Sequence, residues 1–175
     1  MKVLVVIDMQ NDFINGALGS KEAQAIVPAV EKRLAESNDA LVIFTRDTHT
    51  KAYLHTQEGA NLPVEHCIKG TNGWGITESL KSYSEKATIV DKPTFGSLEL
   101  PKIIRKLSGD NLHEIELCGV CTDICVVSNA FILKAAFPET KISVRADLCA
   151  GATPQGHEAA LDIMRICQVD VRECS

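Results

Sequence analysis

The residues able to do chemistry in this sequence fall into three sets. The first centres on a cysteine. The stretch Gly119-Val120-Cys121-Thr122-Asp123-Ile124-Cys125-Val126 leads from an apolar run into a helical pattern and places Cys125 near a helix N-terminus. Unfilled backbone N–H groups and the helix dipole at such a position favour a thiolate, below the free thiol pKa of about 8.5. The same N–H groups can hold a developing oxyanion. A free cysteine is equally at home as a small buried hydrophobe, and the segment alone leaves both readings standing. The second set is Asp8 and Lys92. Asp8 ends the apolar run 3–7, where a carboxylate is costly to bury without a partner or a task, although strand-end aspartates also serve as ordinary turn residues. Lys92, after Val90-Asp91, can equally be a solvated lysine. Taken together, a thiol, a carboxylate and an ammonium supply a nucleophile, a proton acceptor and a cation to steady the thiolate. The third set lies in the polar segment 46–75, where Asp47, His49, His55, Glu58 and His66 concentrate hard oxygen and imidazole donors suited to zinc, iron(II) or manganese(II). Asp47-x-His49 has the spacing of a ligand pair, a spacing that chance also produces in solvated loops.

These groups need elements to bring them together. Apolar, β-branched runs at about 3–7, 40–45, 87–91, 113–118, 141–145 and 169–172 alternate with helical patterns. The helical faces are Ala23, Ile26, Val27, Val30 and Leu34; Leu98, Ile103, Ile104 and Leu107; Ile124, Val127, Phe131 and Leu133; and a helix opened by Thr153-Pro154 that runs through Met164 and Ile166. Strand–helix alternation of this kind predicts an α/β fold, a doubly wound three-layer sandwich with a six-stranded, mostly parallel Rossmann-like sheet. Ligands in such sheets bind beyond the carboxyl ends of the strands, which is where Asp8, Asp47, His49, Lys92 and the Gly119–Cys125 segment fall. Segment 46–75 carries Gly59, Pro63, Gly70, Gly73 and Gly75 and shows neither period, so it reads as a functional loop.

At 175 residues the chain fits one domain over 1–175. A net charge of -5, with no Lys/Arg cluster, argues against nucleic-acid binding. The run Val3–Ile7 is too short for a signal peptide or a membrane span, so neither export nor a membrane partner is expected. Seven cysteines in a chain with a viable core read as reduced thiols in the cytoplasm. Cys118-x-x-Cys121 has no companion pair and straddles a strand end, which fits neither a zinc ribbon nor a redox motif. Cys67, Cys149, Cys167 and Cys174 receive no role, and His113 and His157 read as structural.

In order along almost the whole chain, Val6-Ile7-Asp8-Met9-Gln10-Asn11-Asp12-Phe13, Thr45-Arg46-Asp47-Thr48-His49, Asp91-Lys92 and Gly119 to Val126 resemble the isochorismatase-like cysteine hydrolases, and within them the nicotinamidases. The resemblance implies a catalytic triad of Cys125, Asp8 and Lys92, and a cis peptide before Cys121 that turns the N–H groups of Cys121 and Cys125 into an oxyanion hole. It implies a divalent metal, zinc first with iron or manganese as alternatives, on Asp47, His49 and His66, with Glu58 as the further ligand and His55 in reserve. That metal would orient the substrate's ring nitrogen and ordered waters. Phe13 and Phe95 look like the walls of a ring pocket. The position before the last ligand falls on Leu62 or Pro63, depending on a one-residue gap, and Trp74 could substitute for the missing aromatic there or only pack. The implied reaction is hydrolysis of nicotinamide to nicotinic acid and ammonia through a thioester. The alternatives are a different amide, ureido or enol-ether substrate, a metal-bound water as nucleophile, or a silent binding module. The family also forms homo-oligomers in many cases.

Overall fold

The computed structural model describes residues 1–173; Cys174 lies outside them. Strand β1 (Lys2–Ile7) is the apolar run KVLVVI, and its last five residues are completely or nearly completely buried. A strand with no polar face must be covered on both sides, and β1 is: it pairs in parallel with β2 (Ala40–Asp47) and β4 (Glu114–Val120) at the centre of the sheet. The six strands run in the order β3-β2-β1-β4-β5-β6, with β3 (Thr88–Lys92), β5 (Lys141–Ala150) and β6 (Asp170–Arg172), and every pairing is parallel. The expected mostly parallel sheet is thus wholly parallel.

The helices form the outer layers. After a short α1 (Asn11–Ile14) comes α2 (Lys21–Ala35), capped by Ser20 Oγ accepting from Ala23 N at 3.0 Å. Helix α2 packs on the sheet, with α4 (Glu78–Ser84) against it. On the other side lie α5 (Leu100–Ser108), α6 (Val127–Ala136) and α7 (Pro154–Ile166). The chain winds outwards from β1 through β2 to β3, then crosses to β4 and winds the other way. The order therefore reverses between β1 and β4, and the crevice at that switch point is the natural ligand site of such a sheet.

Several expected boundaries move. Strands β2, β3, β4 and β5 run past their anticipated ends, so Asp47 and Lys92 are the last residues of β2 and β3 and not loop residues beyond them. Proline near the start of α5 fixes its first turn at Leu100-Pro101, which leaves Leu98 outside the helix and 73% exposed. Helix α6 is preceded by a π turn (Thr122–Val126), and its buried face is Asn129, Ala130 and Leu133 instead of Val127 and Phe131. The wider π turn shifts the angular phase, so counting at 3.6 residues from Ile124 lands on the wrong side. The polar segment after β2 is not structureless: it holds a 3-10 turn (Tyr53–His55) and helix α3 (Gln57–Asn61), capped by Thr56. Among the described residues no helix is long and apolar enough to cross a membrane.

Candidate active site

At the carboxyl edge of the three central strands the backbone turns sharply. Asp8, directly after β1, has φ 47°, a left-handed conformation that aspartate tolerates better than most side chains. Gly119 on β4 has φ 116°, and a Cβ there would lie 2.1 Å from Ile7 O, so only glycine lets the two strand ends approach this closely. The peptide Val120–Cys121 is cis, as the resemblance implied.

These turns gather Asp8, Lys92 and Cys125. Lys92 Nζ stands 2.7 Å from Asp8 Oδ2 and 3.5 Å from Cys125 Sγ, and donates to Thr94 O at 3.1 Å. Asp8 and Lys92 are fully buried and Cys125 is 5% exposed. Thr45 holds the other Asp8 oxygen, donating to Oδ1 at 2.6 Å. Burial would discharge Lys92, but the carboxylates of Asp8 and Asp47 and the Cys125 sulfur outweigh it and raise its pKa. Burial raises the Asp8 pKa, with Lys92 opposing. Burial also pushes the Cys125 thiol well up, and Asp8 adds to the push. The pull toward a thiolate from the helix end and the Lys92 ammonium is thus opposed by desolvation and by a neighbouring carboxylate.

A second cluster abuts the first. Asp47, His49, Glu58 and His66 each offer a ligand atom, all within 4.8 Å of one another. His66 Nδ1 is 2.8 Å from Val64 O, which turns Nε2 toward the cluster, 3.4 Å from Asp47 Oδ2 and 3.8 Å from Glu58 Oε1. His49 Nε2 is buried 2.9 Å from Asp47 Oδ2 and 3.5 Å from Glu58 Oε1, yet makes no hydrogen bond among the described residues. A buried imidazole nitrogen aimed at two carboxylates without bonding either fits a ligand set converging on a cation, so the residues present suit a divalent metal. Glu58, and not the exposed His55, belongs to this set. Asp47 joins the two clusters, with Oδ1 3.6 Å from Lys92 Nζ. Burial would raise its pKa, but the imidazoles of His49 and His66 beside it and the charge of Lys92 hold it far below the usual carboxylate range.

A cavity of about 310 Å³ opens onto both clusters, lined by Asp47, Glu58 and His66 on one side and by Cys121 and Cys125 on the other. Phe13, Leu62 and Phe95 form apolar wall. Phe13 is buried, whereas Leu62 and Phe95 stand at the mouth, 38% and 46% exposed. Trp74 is not part of this wall: it stacks under Arg46 at 3.7 Å and donates to Thr48 Oγ1 at 2.9 Å, so it packs.

Sequence reasoning missed the residues that hold the site. Gln10 clamps Asp47 through both main-chain groups, accepting from Asp47 N at 2.7 Å and donating to Asp47 O at 2.9 Å. Tyr53 packs against both His49 and His66, with ring centroids at 4.6 and 4.9 Å. Asn129 donates to Cys125 O at 2.8 Å and to Phe95 O at 3.1 Å. Each is a polar or aromatic residue at a position whose neighbours predict something else: Asn129 on an apolar helix, Tyr53 in a polar loop.

A family model described as the isochorismatase domain matches residues 2–173. The chain belongs to the isochorismatase family. Among its isochorismatase-family relatives, the nicotinamidase/pyrazinamidase of Mycobacterium tuberculosis is 27% identical over 98% of each chain. An Arabidopsis thaliana protein described as a probable inactive nicotinamidase is 30% identical, over 93% of this chain and 88% of its own. The crystal structure of the pyrazinamidase of Pyrococcus horikoshii in complex with zinc superposes with a TM-score of 0.80 at 26% identity, covering 99% of each chain.

Proposed function

We propose that this isochorismatase-family hydrolase is a metal-containing nicotinamidase, which converts nicotinamide to nicotinic acid and ammonia through a thioester on Cys125. One observation carries the reading: a thiol, an ammonium and a carboxylate meet within 3.5 Å contacts, and Asp47 joins them to a four-donor cation cluster of which Asp47, Glu58 and His66 line the same cavity. Asp8 takes the Cys125 proton as the sulfur bonds to the carboxamide carbon, and a carboxyl of raised pKa accepts that proton more readily than an ordinary one. The carbonyl electrons move onto oxygen, toward the backbone N–H groups of Cys121 and Cys125. The C–N bond then breaks, and Asp8 returns the proton to the leaving ammonia. Asp8 next deprotonates the water that attacks the thioester, the C–S bond breaks, and the proton ends on Cys125. Lys92 keeps its proton throughout and balances the charge that passes between Asp8 and Cys125. Asp47, His49, Glu58 and His66 would hold a divalent cation, zinc first, which when bound supplies an orienting Lewis-acid contact to a substrate ring nitrogen. Phe13 and Phe95 flank the ring, and Leu62 closes the mouth. The cytoplasm, with its reduced thiols, is the compartment this chemistry suits.

The test measures ammonia release from nicotinamide, pyrazinamide and aliphatic amides, with and without chelator. Cys125→Ala is expected to lose at least about 10³-fold in rate while keeping its fold. Full activity in that variant refutes the mechanism. The family match is coarser than a single substrate and makes a different small amide the second reading, which the same panel separates.

A further inference from the structure

The turn that carries Cys121 and Cys125 is held from outside by a contact the mechanism above does not use. Thr122, fully buried, opens the π turn directly after Cys121, and its Oγ1 stands 2.8 Å from His157 Nδ1. His157 sits in the first turn of α7, a turn pinned by Thr153 Oγ1 accepting from Gly156 N at 2.9 Å. A second tie lies alongside, with Asp123 Oδ1 accepting from Ala152 N at 2.9 Å. Gly151 lets the chain pass close beneath this turn, since a Cβ there would come within 2.9 Å of His157 Cβ. His157 lines a neighbouring surface hollow with Glu22, Cys149 and Pro154, which meets the cavity that holds Cys125 at Ala150 and Gly151, but it is absent from the lining of that cavity. It therefore does not touch a substrate in that cavity.

We infer that His157 is a positioning residue: through Nδ1 it fixes the Thr122 hydroxyl, and with it the turn whose N–H groups face the substrate's developing oxyanion. The inference rests on the amide-hydrolysis reading. Donors preorganised for a transition state act on its charge more than on the neutral carbonyl, so loosening them lowers kcat and leaves KM nearly unchanged. Loss of the imidazole also strands a buried hydroxyl, which gives the turn a reason to shift.

The experiment compares His157→Ala, His157→Asn and His157→Gln in the metal-loaded full chain. Readouts are kcat and KM for nicotinamide, the thermal midpoint, and Cys125 alkylation by iodoacetamide followed by peptide mass spectrometry. His157→Ala is expected to lose about tenfold in kcat with KM within about twofold. The asparagine amide falls where Nδ1 stands and restores most of kcat, whereas the glutamine amide reaches to the place of Nε2 and does not. Alkylation of Cys125, which needs no oxyanion donors, keeps its wild-type rate. Wild-type kcat in His157→Ala, or equal kcat in the asparagine and glutamine variants, overturns the proposal. Should His157→Ala fail to fold, the asparagine and glutamine pair decides alone. A wild-type protein inert on every amide overturns the hydrolysis reading and this inference together, whereas an active one indifferent to His157 overturns only the inference.

Discussion

Asp8 and Lys92 are a buried ion pair whose value depends on both members being present. Removing one leaves an uncompensated charge, at a typical cost of about 3–5 kcal/mol, so Lys92→Met is expected to lower stability as well as activity. Differential scanning calorimetry beside the ammonia assay checks this. The same pair fixes a pH dependence. Asp8 must be ionised to accept the thiol proton, and its folded pKa is raised by burial. Activity is therefore lost as pH falls through that raised value, above the ordinary aspartate pKa of about 3.9. A kcat/KM profile whose acid limb sits at or below the ordinary value would contradict the assignment of Asp8 as base.

Away from the site, at the other end of the sheet, one buried acid ties several elements together. Glu116 on β4, 2% exposed, binds Lys2 of β1 at 2.9 Å and Arg33 of α2 at 2.7 Å, with Arg172 of β6 at 3.8 Å. Burial would raise its pKa, but the bonds from Arg33 and Lys2 win and lower it. A depressed carboxyl stabilises the fold above its unfolded pKa of about 4.3, and that contribution is lost as pH falls through the folded value. Glu116→Gln is thus expected to cost about 1–2 kcal/mol near neutrality, with the partners' partial exposure screening the pair, and progressively less in acid. Urea titrations of both proteins at several pH values test this; a difference constant down to strongly acid pH would rule out the ion pairs as its source.

For the molecule as a whole, a cation held by β2 (Asp47), the segment after it (His49, His66) and α3 (Glu58) must couple binding to folding. At a hundredfold excess over Kd, a ligand that binds only the folded state adds about 2.7 kcal/mol. For a chain of this length that is roughly 5–10 °C in thermal midpoint. Added zinc is expected to produce a rise of that size, and His49→Ala to abolish it. An equal rise in both proteins would place the bound ion elsewhere.

The linear sequence determined which chemistry is present and in what order. The apolar runs fixed the α/β layering, and the spacing of Asp8, Asp47-x-His49, Lys92 and Cys125 carried the family resemblance, because strand pattern and residue type are local properties. What it could not determine is non-local. The upward push on the Cys125 thiol depends on burial and on carboxylates arriving from two other strands, whereas the local pattern showed only the helix end that favours a thiolate. The choice of Glu58 over His55 turns on how a 3-10 turn and a short helix aim two neighbouring loop residues. The packing of Trp74 under Arg46, the phase of α6 after the π turn and the bond from His157 to Thr122 were likewise decided by tertiary structure, since each joins groups that no periodicity relates.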